Sequence, residues 1–228
     1  MDDTTNNPYR IAIIGGTGKE GKGLAYRWVQ AGYEVLVGSR DQKKANNAVE
    51  SLNSILPDSL HHLLIPLENS EAVKKADVAV LTIPYAYHDE AIRKLKPYLQ
   101  GKYFLDVSVP LVPPKVTVVK IPPHGSAAME AQNILGENVK VISAFQNISF
   151  ELLLSGEDID CDVLVCGMDK DSRDVGIKLV SDAGLIAWDA GDLENSIIAE
   201  GLTSILIRLN KKYGTHSAGI KITGIKRN

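Results

Sequence analysis

A short apolar run that leads directly into a cluster of glycines constrains this fold more than any other feature of the chain. Residues 11–14 read IAII, and five glycines follow, at Gly15, Gly16, Gly18, Gly21 and Gly23. Glycine costs conformational entropy in an ordered segment, so the cluster indicates a backbone that side chains would obstruct. The stretch predicts a buried strand that enters a tight turn and then a helix.

The spacing of these glycines indicates what the turn holds. Gly16, Thr17, Gly18, Lys19, Glu20 and Gly21 form a G-x-G-x-x-G pattern between a predicted strand and a predicted helix. In that context the first glycine permits the turn, the second admits a pyrophosphate, and the third lets the helix pack closely. The amides at the helix start would bind the phosphates. A purely structural glycine turn is the alternative.

The end of the second predicted strand indicates which dinucleotide binds. NAD-binding proteins usually carry Asp or Glu there, whereas this chain has Ser39, Arg40 and, slightly later, Lys44. A hydroxyl, a guanidinium and an ammonium suit a dianionic 2′-phosphate. Asp41 leaves this prediction unchanged because it can cap the following helix. The pattern predicts NADP(H), and a solvated basic turn is the alternative.

Short apolar runs alternate with helical patterns along the first 150 residues. The predicted strands span 10–14, 34–37, 63–65, 77–83, 103–107 and 139–144, with helices at 20–31, 41–53, 69–75, 87–98 and 125–135. Most of the runs are apolar on both faces, which is typical of parallel strands covered by helices. The pattern predicts an α/β protein with a Rossmann doubly wound parallel sheet, whose ligands bind at the carboxyl ends of the strands.

The alternation changes after residue 150. Strands are predicted at 162–167 and 185–191 around one helix, and a long helix follows at 194–213. We therefore expect a nucleotide-binding Rossmann domain over residues 1–150 and a small C-terminal α/β domain over 151–228, packed against it.

Composition argues against several classes of protein. The 228 residues carry a formal net charge of −3 and are 44% hydrophobic, which predicts an ordinary core and argues against a general nucleic-acid or membrane-surface role. Cys161 and Cys166 match no common zinc spacing, and the N-terminal residues lack the pattern of a secretory signal. We expect a cytoplasmic protein that binds small molecules, with no metal, nucleic-acid or membrane partner.

Several further motifs occur in a recognisable order. They read VGSRDQKKA, DVAVLTIPY, VPLVP, GSAA, ISAFQN, EGLTSILIRLN and AGIKITGI. With the glycine turn, they make the sequence resemble the NADPH-dependent coenzyme F420 (deazaflavin) oxidoreductase family over nearly the whole chain from residue 10. The resemblance implies hydride transfer between NADP(H) and coenzyme F420 by a homodimer, in which residues 151–228 complete the acceptor cleft and the dimer contact.

The resemblance also implies roles for individual residues. Residues 17–20 would surround the phosphates, and Ser39, Arg40 and Lys44 would bind the 2′-phosphate. The remaining cofactor-binding candidates, around the ribose and nicotinamide and along the border of the cleft, are Thr82, Ile83, Pro84, Tyr85, Val109 and Asn147. Thr203 and Gln146 are the catalytic candidates beside the acceptor ring. Family members often carry His in place of Gln146 and Ser in place of Gly201.

Those two departures leave the acceptor open. One alternative is an NADPH-dependent reductase of a flavin, a ferric chelate or a small carbonyl or imine compound, and another is an NADP(H) sensor without catalysis. Residues 201–228 contain no Asp or Glu but several basic residues, namely Arg208, Lys211, Lys212, Lys221, Lys226 and Arg227. This charge predicts an anionic acceptor, and a solvated basic face is the alternative.

Overall fold

The computed structural model describes residues 7–225, which form an eight-stranded sheet flanked by helices. The strands are β1 (Ile11–Ile14), β2 (Val35–Ser39), β3 (Leu64–Glu68), β4 (Val78–Leu81), β5 (Tyr103–Asp106), β6 (Lys140–Ser143), β7 (Asp162–Gly167) and β8 (Ile186–Asp192). The α-helices are α1 (Lys19–Gln30), α2 (Gln42–Asn53), α3 (Asn69–Lys75), α4 (His88–Leu99), α5 (Ala127–Leu135), α6 (Phe150–Leu154), α7 (Lys170–Asp182) and α8 (Ser196–Tyr213).

The strand order confirms the doubly wound prediction. The strands lie in the order β3-β2-β1-β4-β5-β6-β7-β8, and all neighbours as far as β6 are parallel. The chain reverses its direction of travel across the sheet between β1 and β4, which is where open parallel sheets bind ligands. The glycine turn follows β1 and residues 82–85 follow β4, so both lie at this point.

The C-terminal strands continue the same sheet in the opposite direction. β7 is antiparallel to β6 through two residue pairs, Ile142 with Gly167 and Ser143 with Cys166. Because β7 begins at Asp162, its first four residues run about 13 Å past the carboxyl end of β6, at about 3.3 Å per residue. β8 pairs in parallel along β7. The β7–α7–β8 unit therefore extends beyond the edge of the sheet at which the ligands are expected. A domain boundary at residue 150 stays a prediction.

Both faces of the sheet are covered, which explains the apolar runs without alternation. Ile11 and Ile13 of β1 point into one core, with α1, α2 and α7, whereas Ala12 and Ile14 point into the other, with α3, α4 and α5. Since neither face of the central strands β1, β2 and β4 meets water, hydrophobic residues stabilise these strands on both faces.

Helix α1 connects the nucleotide-binding strands to the C-terminal unit. The buried Arg27 side chain donates hydrogen bonds to three backbone carbonyls at and beyond α6, those of Leu152, Leu153 and Glu157. The indole Nε1 of Trp28 donates to the Leu179 carbonyl oxygen of α7 at 2.8 Å. The two parts of the chain are thus packed together through α1, as expected.

The structure also differs from the sequence predictions in detail. The strand predicted at 77–83 ends at Leu81, which releases residues 82–85 into the ligand edge, and β3 extends to Glu68. Helix α6 and three 3₁₀ turns, at Asp58–Leu63, Tyr85–Tyr87 and Leu193–Asn195, were not predicted. None of the helices formed by residues 7–225 combines the length and the apolar character that a membrane span requires.

Candidate functional site

A cleft of about 680 Å³ opens at the carboxyl ends of β1, β2 and β4. Eight of the residues proposed for the cofactor line it together, namely Thr17, Gly18, Ser39, Arg40, Lys44, Thr82, Ile83 and Pro84. They come from three separate segments of the sequence. Parallel strands bring those segments to one edge because each segment follows the carboxyl end of a strand.

The glycines of the turn meet different structural requirements. Gly15 adopts a left-handed backbone with φ of +80°, and Gly16 donates its N–H to the Gly38 carbonyl oxygen at 2.9 Å. A Cβ on Gly21 would lie 2.7 Å from the Gly16 Cα, so this glycine is required for helix α1 to approach the turn. A Cβ on Gly18 would meet its nearest neighbour at 3.4 Å, an ordinary contact. Gly18 lines the cleft, and the absence of a side chain there leaves the cleft open. The packing of the protein does not require a glycine at this position.

Lys19 and Glu20 lie on the first turn of α1 and are not among the residues that line this cleft. The Lys19 ammonium lies 4.7 Å from the centre of the Phe150 ring. Glu20 is half-buried, and its Oε1 has no hydrogen-bond partner among residues 7–225. Burial of this carboxyl group raises the pKa of Glu20 to about 8.

The end of β2 forms the basic part of the cleft. Asp41 caps α2 by accepting hydrogen bonds from the amides of Lys43 and Lys44, as the sequence predicted. Its carboxylate is thereby held by the helix N-terminus. The Arg40 guanidinium lies 5.9 Å from the centre of the Tyr87 ring, and both side chains line the cleft. Arg40 is exposed, so it can reach a bound anion.

Sequence reasoning missed several residues that line the same cleft. Glu68 ends β3 directly opposite Ser39 in the strand pairing, and the Asn69 side chain accepts a hydrogen bond from the Gly15 amide at 3.4 Å. Others lie on one face of α4 and just before it, at Tyr87, Glu90, Ala91, Lys94, Leu95 and Tyr98. Their spacing of three or four residues was visible in the sequence as one face of a predicted helix.

The loop after β4 is fixed by hydrogen bonds on both sides. The Thr82 hydroxyl donates to the Ile14 carbonyl oxygen at 3.0 Å, which holds the loop against β1. The Tyr85 hydroxyl donates to Glu130 Oε2 at 2.7 Å, and burial together with this hydrogen bond raises the pKa of Tyr85. Tyr85 therefore anchors the loop to α5 and remains a phenol at neutral pH.

The two catalytic candidates lie next to each other. Gln146 Nε2 donates to the Asp106 carbonyl oxygen and to Ser143 Oγ, each at 2.8 Å, while its Oε1 is buried and has no partner within the described range of 7–225. The Thr203 hydroxyl donates to the Gln146 carbonyl oxygen at 2.7 Å. Helix α8 and the loop after β6 thus meet at these two residues, although they are 57 positions apart.

The other two border residues take different positions. Asn147 is buried and donates from Nδ2 to the Asp162 carbonyl oxygen at 2.7 Å and to Cys161 Sγ at 3.2 Å. It fastens the start of β7, and it does not line the cleft described above. Val109 is half-buried in the loop after β5.

A buried ion pair that sequence reasoning did not assign lies beneath the loop after β4. His88 Nε2 donates to Asp106 Oδ2 at 2.8 Å and His88 Nδ1 to Asp89 Oδ1 at 2.9 Å. Burial lowers the pKa of His88, but the Asp106 charge and both hydrogen bonds outweigh it and raise the pKa to about 9. Glu200 of α8 accepts hydrogen bonds from the amides of Ala127 and Ala128, yet burial raises its pKa to about 8.

Comparison with known proteins assigns the family. Residues 10–110 match the family model described as NADP oxidoreductase coenzyme F420-dependent. The F420-dependent NADP reductase of Methanocaldococcus jannaschii is 41% identical over 223 residues, which cover 95% of this chain and 99% of that relative. The chain belongs to the F420-dependent NADP reductase family. A second family member, from Methanothermobacter marburgensis, is 35% identical over 223 residues with the same coverage.

A solved structure supports the same family. The protein from Arthrobacter sp. FB24, provisionally assigned as an F420-dependent NADP reductase, superposes with a TM-score of 0.78 at 25% identity. The match covers 94% of this chain and 99% of that one. The similarity therefore extends through the β7–α7–β8 unit and helix α8 as well as the nucleotide-binding strands.

Proposed function

We propose that this protein transfers a hydride between NADP(H) and coenzyme F420. The observation that carries the proposal is the cleft at the point where the strand order reverses. The glycine turn and Arg40 line this cleft. The β7–α7–β8 unit continues the same sheet beyond β6. The 41% identity to a full-length F420-dependent NADP reductase supports the same conclusion.

The nucleotide would lie across the carboxyl ends of β1, β2 and β4. Its diphosphate would face the amides at the start of α1, where the helix dipole favours negative charge. Arg40, Ser39 and Lys44 would bind the 2′-phosphate. An Arg side chain can give two charge-assisted hydrogen bonds to such a group, which distinguishes NADP(H) from NAD(H).

Hydride transfer needs two rings held face to face in a site that excludes water, and it needs no acid, base or nucleophile from the protein. Residues 82–85 would hold the nicotinamide. Gln146 and Thr203 would border the acceptor ring from the other side, with Val109 and Asn147 in the loops around it. The protein's contribution is to orient the two rings and to exclude water.

The acceptor that fits the C-terminal segment is an anion. Coenzyme F420 carries a phosphate and a glutamate tail, and α8 ends with Lys211 and Lys212, both exposed. Lys221 forms an ion pair with Asp160, which reduces the free positive charge of the segment. Lys226 and Arg227 lie outside the described residues.

We further propose a homodimer in the cytoplasm. Helix α8 leaves several large apolar side chains in solvent, at Ile198, Ile205, Leu209 and Tyr213, of which Ile198 and Tyr213 are 63% and 68% exposed. A second copy of the chain would cover this face and so remove apolar area from water. Size-exclusion chromatography with light scattering would test the assembly.

One sequence departure favours a second candidate, an NADPH-dependent reductase of another acceptor. Gln146 stands where family members often carry His, and it lies beside Thr203 where the acceptor ring is expected. An amide there would change the hydrogen bonds that are offered to the acceptor, so a flavin, a ferric chelate or a small imine is the alternative substrate.

A direct assay separates the candidates. The protein is mixed with NADPH and with oxidised F420, a flavin, a ferric chelate or an imine, while acceptor and NADPH absorbance are followed. Rapid loss of the oxidised deazaflavin signal with matching NADPH oxidation supports the proposal. NADPH oxidation with another acceptor alone would contradict the F420 assignment. Tight NADPH binding without oxidation by any of them would favour the sensor.

A further inference from the structure

Asp106, the last residue of β5, is a buried junction of hydrogen bonds from three parts of the chain. Its Oδ2 accepts from His88 Nε2 at 2.8 Å, and its Oδ1 accepts from the Ser108 amide at 2.9 Å. Its backbone carbonyl oxygen accepts from Gln146 Nε2, also at 2.8 Å. Both His88 and Asp106 are fully shielded from solvent. The backbone of Asp106, together with the Ser143 hydroxyl, therefore fixes the side chain of Gln146, while His88 holds the carboxylate of the same Asp106.

The junction continues to α8 through the backbone of Gln146. Phe145, the preceding residue, has a left-handed backbone with φ of 72°, unusual for a residue other than glycine. Its buried ring packs edge-on against Trp28 with ring centres 5.8 Å apart, which holds this conformation. The turn directs the Gln146 side chain back towards Asp106, while the Gln146 carbonyl oxygen receives the Thr203 hydroxyl.

We propose that His88 is a positioning residue for the acceptor side of the cleft. It holds Asp106 in place, Asp106 holds Gln146, and Gln146 holds Thr203, so the two residues that border the acceptor keep one arrangement. The inference rests on the proposed function, because it assumes that Gln146 and Thr203 lie beside the acceptor.

The charges around His88 explain why its removal would disturb this arrangement. The titratable groups that face it come from four elements. They are Asp89 of its own helix, Asp106 of β5, Glu130 of α5 and Glu200 of α8, together with the phenol of Tyr85, whose ring centre lies 5.7 Å away. The Glu130 carboxylate lies within 4.8 Å of a His88 ring nitrogen. Without the histidine, Asp106 would be a buried carboxylate close to the buried Glu200 and would have no cation. Removing one partner of a buried ion pair leaves an uncompensated buried charge, which is strongly destabilising, so Asp106 would move.

Two substitutions of His88 separate the effect of its hydrogen bond to Asp106 from the effect of its side-chain volume. His88→Leu removes the hydrogen bond to Asp106 and retains an apolar side chain, whereas His88→Gln can place an amide nitrogen close to the original Nε2. In His88→Leu we expect the KM for F420 to rise about tenfold, which corresponds to about 1.4 kcal/mol. The dissociation constant of NADPH should stay within about twofold, the ordinary size of a change that breaks no contact. His88→Gln should recover most of the loss.

Asp89→Asn is the matched control, since it neutralises the exposed partner of His88 and leaves Asp106 untouched. It should leave both constants unchanged. Circular dichroism and thermal melting establish that each variant is folded. An equal loss of NADPH and F420 affinity in folded His88→Leu, or no loss of either, would overturn the proposal.

A pH profile keeps the test decisive if His88→Leu does not fold. In the wild type, kcat/KM for F420 should fall as pH rises through about 9, where His88 loses its proton. That step should be absent from His88→Gln, and the same step in both proteins would overturn the proposal. Failure of the proposed function looks different, because the wild type would not use F420. If it does, and Thr203→Val raises the KM while His88→Leu does not, only the positioning role fails.

Discussion

At the scale of single residues, the glycine turn contains two positions with opposite requirements. A Cβ added to Gly18 would make only ordinary contacts with the protein, whereas a Cβ added to Gly21 would lie 2.7 Å from the Gly16 Cα. Gly18→Val should fold and lose NADPH binding, because its side chain would occupy the place of the pyrophosphate. Gly21→Val is the matched variant and should lower the melting temperature. Fluorescence titration and thermal melting measure the two effects, and tight NADPH binding by folded Gly18→Val would show that the turn is only structural.

Arg40 is the residue on which the choice of nucleotide depends. Arg40→Ala should weaken NADPH binding by roughly 1.5–3 kcal/mol, the scale of a hydrogen bond to a charged group, and leave NADH binding nearly unchanged. Lys43→Ala is a suitable control, because Lys43 is exposed and does not line the cleft. An equal loss for both nucleotides in a titration would remove Arg40 from the 2′-phosphate.

Glu68 should act against Arg40. Its carboxylate lies in the same cleft and opposite Ser39, where a 2′-phosphate would be repelled. Glu68 is exposed, so water and salt screen the effect, and Glu68→Gln should tighten NADPH binding only about twofold to fivefold. NADH affinity should not improve. Weaker NADPH binding in this variant would mean that Glu68 instead accepts a hydrogen bond from the nucleotide.

At the scale of elements, the basic end of α8 is predicted to attract the acceptor. If it does, the apparent KM for F420 should rise with salt in the wild type, since counter-ions screen exposed charges. In the double variant Lys211→Glu/Lys212→Glu, KM should already be high and respond less to salt. The KM for NADPH serves as the internal control, because at each salt concentration it should be the same in the wild type and in the double variant. An F420 KM that is indifferent to both salt and charge reversal would leave the segment without a role in binding.

The elements also show how far the sequence could predict the structure. The strands and helices of the first 150 residues were predictable, because two-sided burial leaves apolar runs and because capping residues such as Asp41 mark the helix starts. The antiparallel direction of β7 was not predictable, because the pattern of apolar residues does not encode the direction of a strand. The five-residue helix α6 is too short to show a helical pattern in the sequence. Arg27, which donates a hydrogen bond to the Leu153 carbonyl oxygen of this helix, is more than 120 positions away in the chain.

The candidate site was predictable for the same reason as the sheet. Ser39 and Arg40 follow one predicted parallel strand and Thr82 lies near the carboxyl end of another, so we expected them to meet at one edge, and all three line the cleft. The pairing of His88 with Asp106 was not predictable. The two residues are 18 positions apart on different elements, and only the packing of α4 against β5 makes them partners.

At the scale of the whole molecule, three groups with raised pKa values make stability depend on pH. The pKa of His88 rises from 6.5 to about 9 on folding, and those of Glu20 and Glu200 rise from 4.5 to about 8. The folded state therefore binds more protons than the unfolded state between pH 4.5 and 9, so stability falls as pH rises. Up to about 3 kcal/mol of the His88 contribution should be lost between pH 6.5 and 9.5.

Denaturant unfolding at pH 6 and pH 9.5 measures this change. The free energy of unfolding should be lower at pH 9.5, and the decline should be smaller in His88→Gln, which has no imidazole to titrate. A flat profile for the wild type would contradict the raised pKa values of these three groups.

The attachment of α1 to the C-terminal unit bears on how substrates enter and leave. Arg27 and Trp28 donate hydrogen bonds from one side of the helix to carbonyl oxygens between residues 152 and 179, while the first turn of the helix directly follows the glycine turn. A hinge opening between the two halves would have to break these buried bonds in every turnover. We therefore expect ligands to enter and leave without separation of the two halves, so that the irregular segment at 107–126 moves instead. This segment meets α8 where the Ser204 hydroxyl donates to the Val118 carbonyl oxygen. Product release would then be limited by the motion of one loop, at a rate that cross-linking this segment to α8 would reduce.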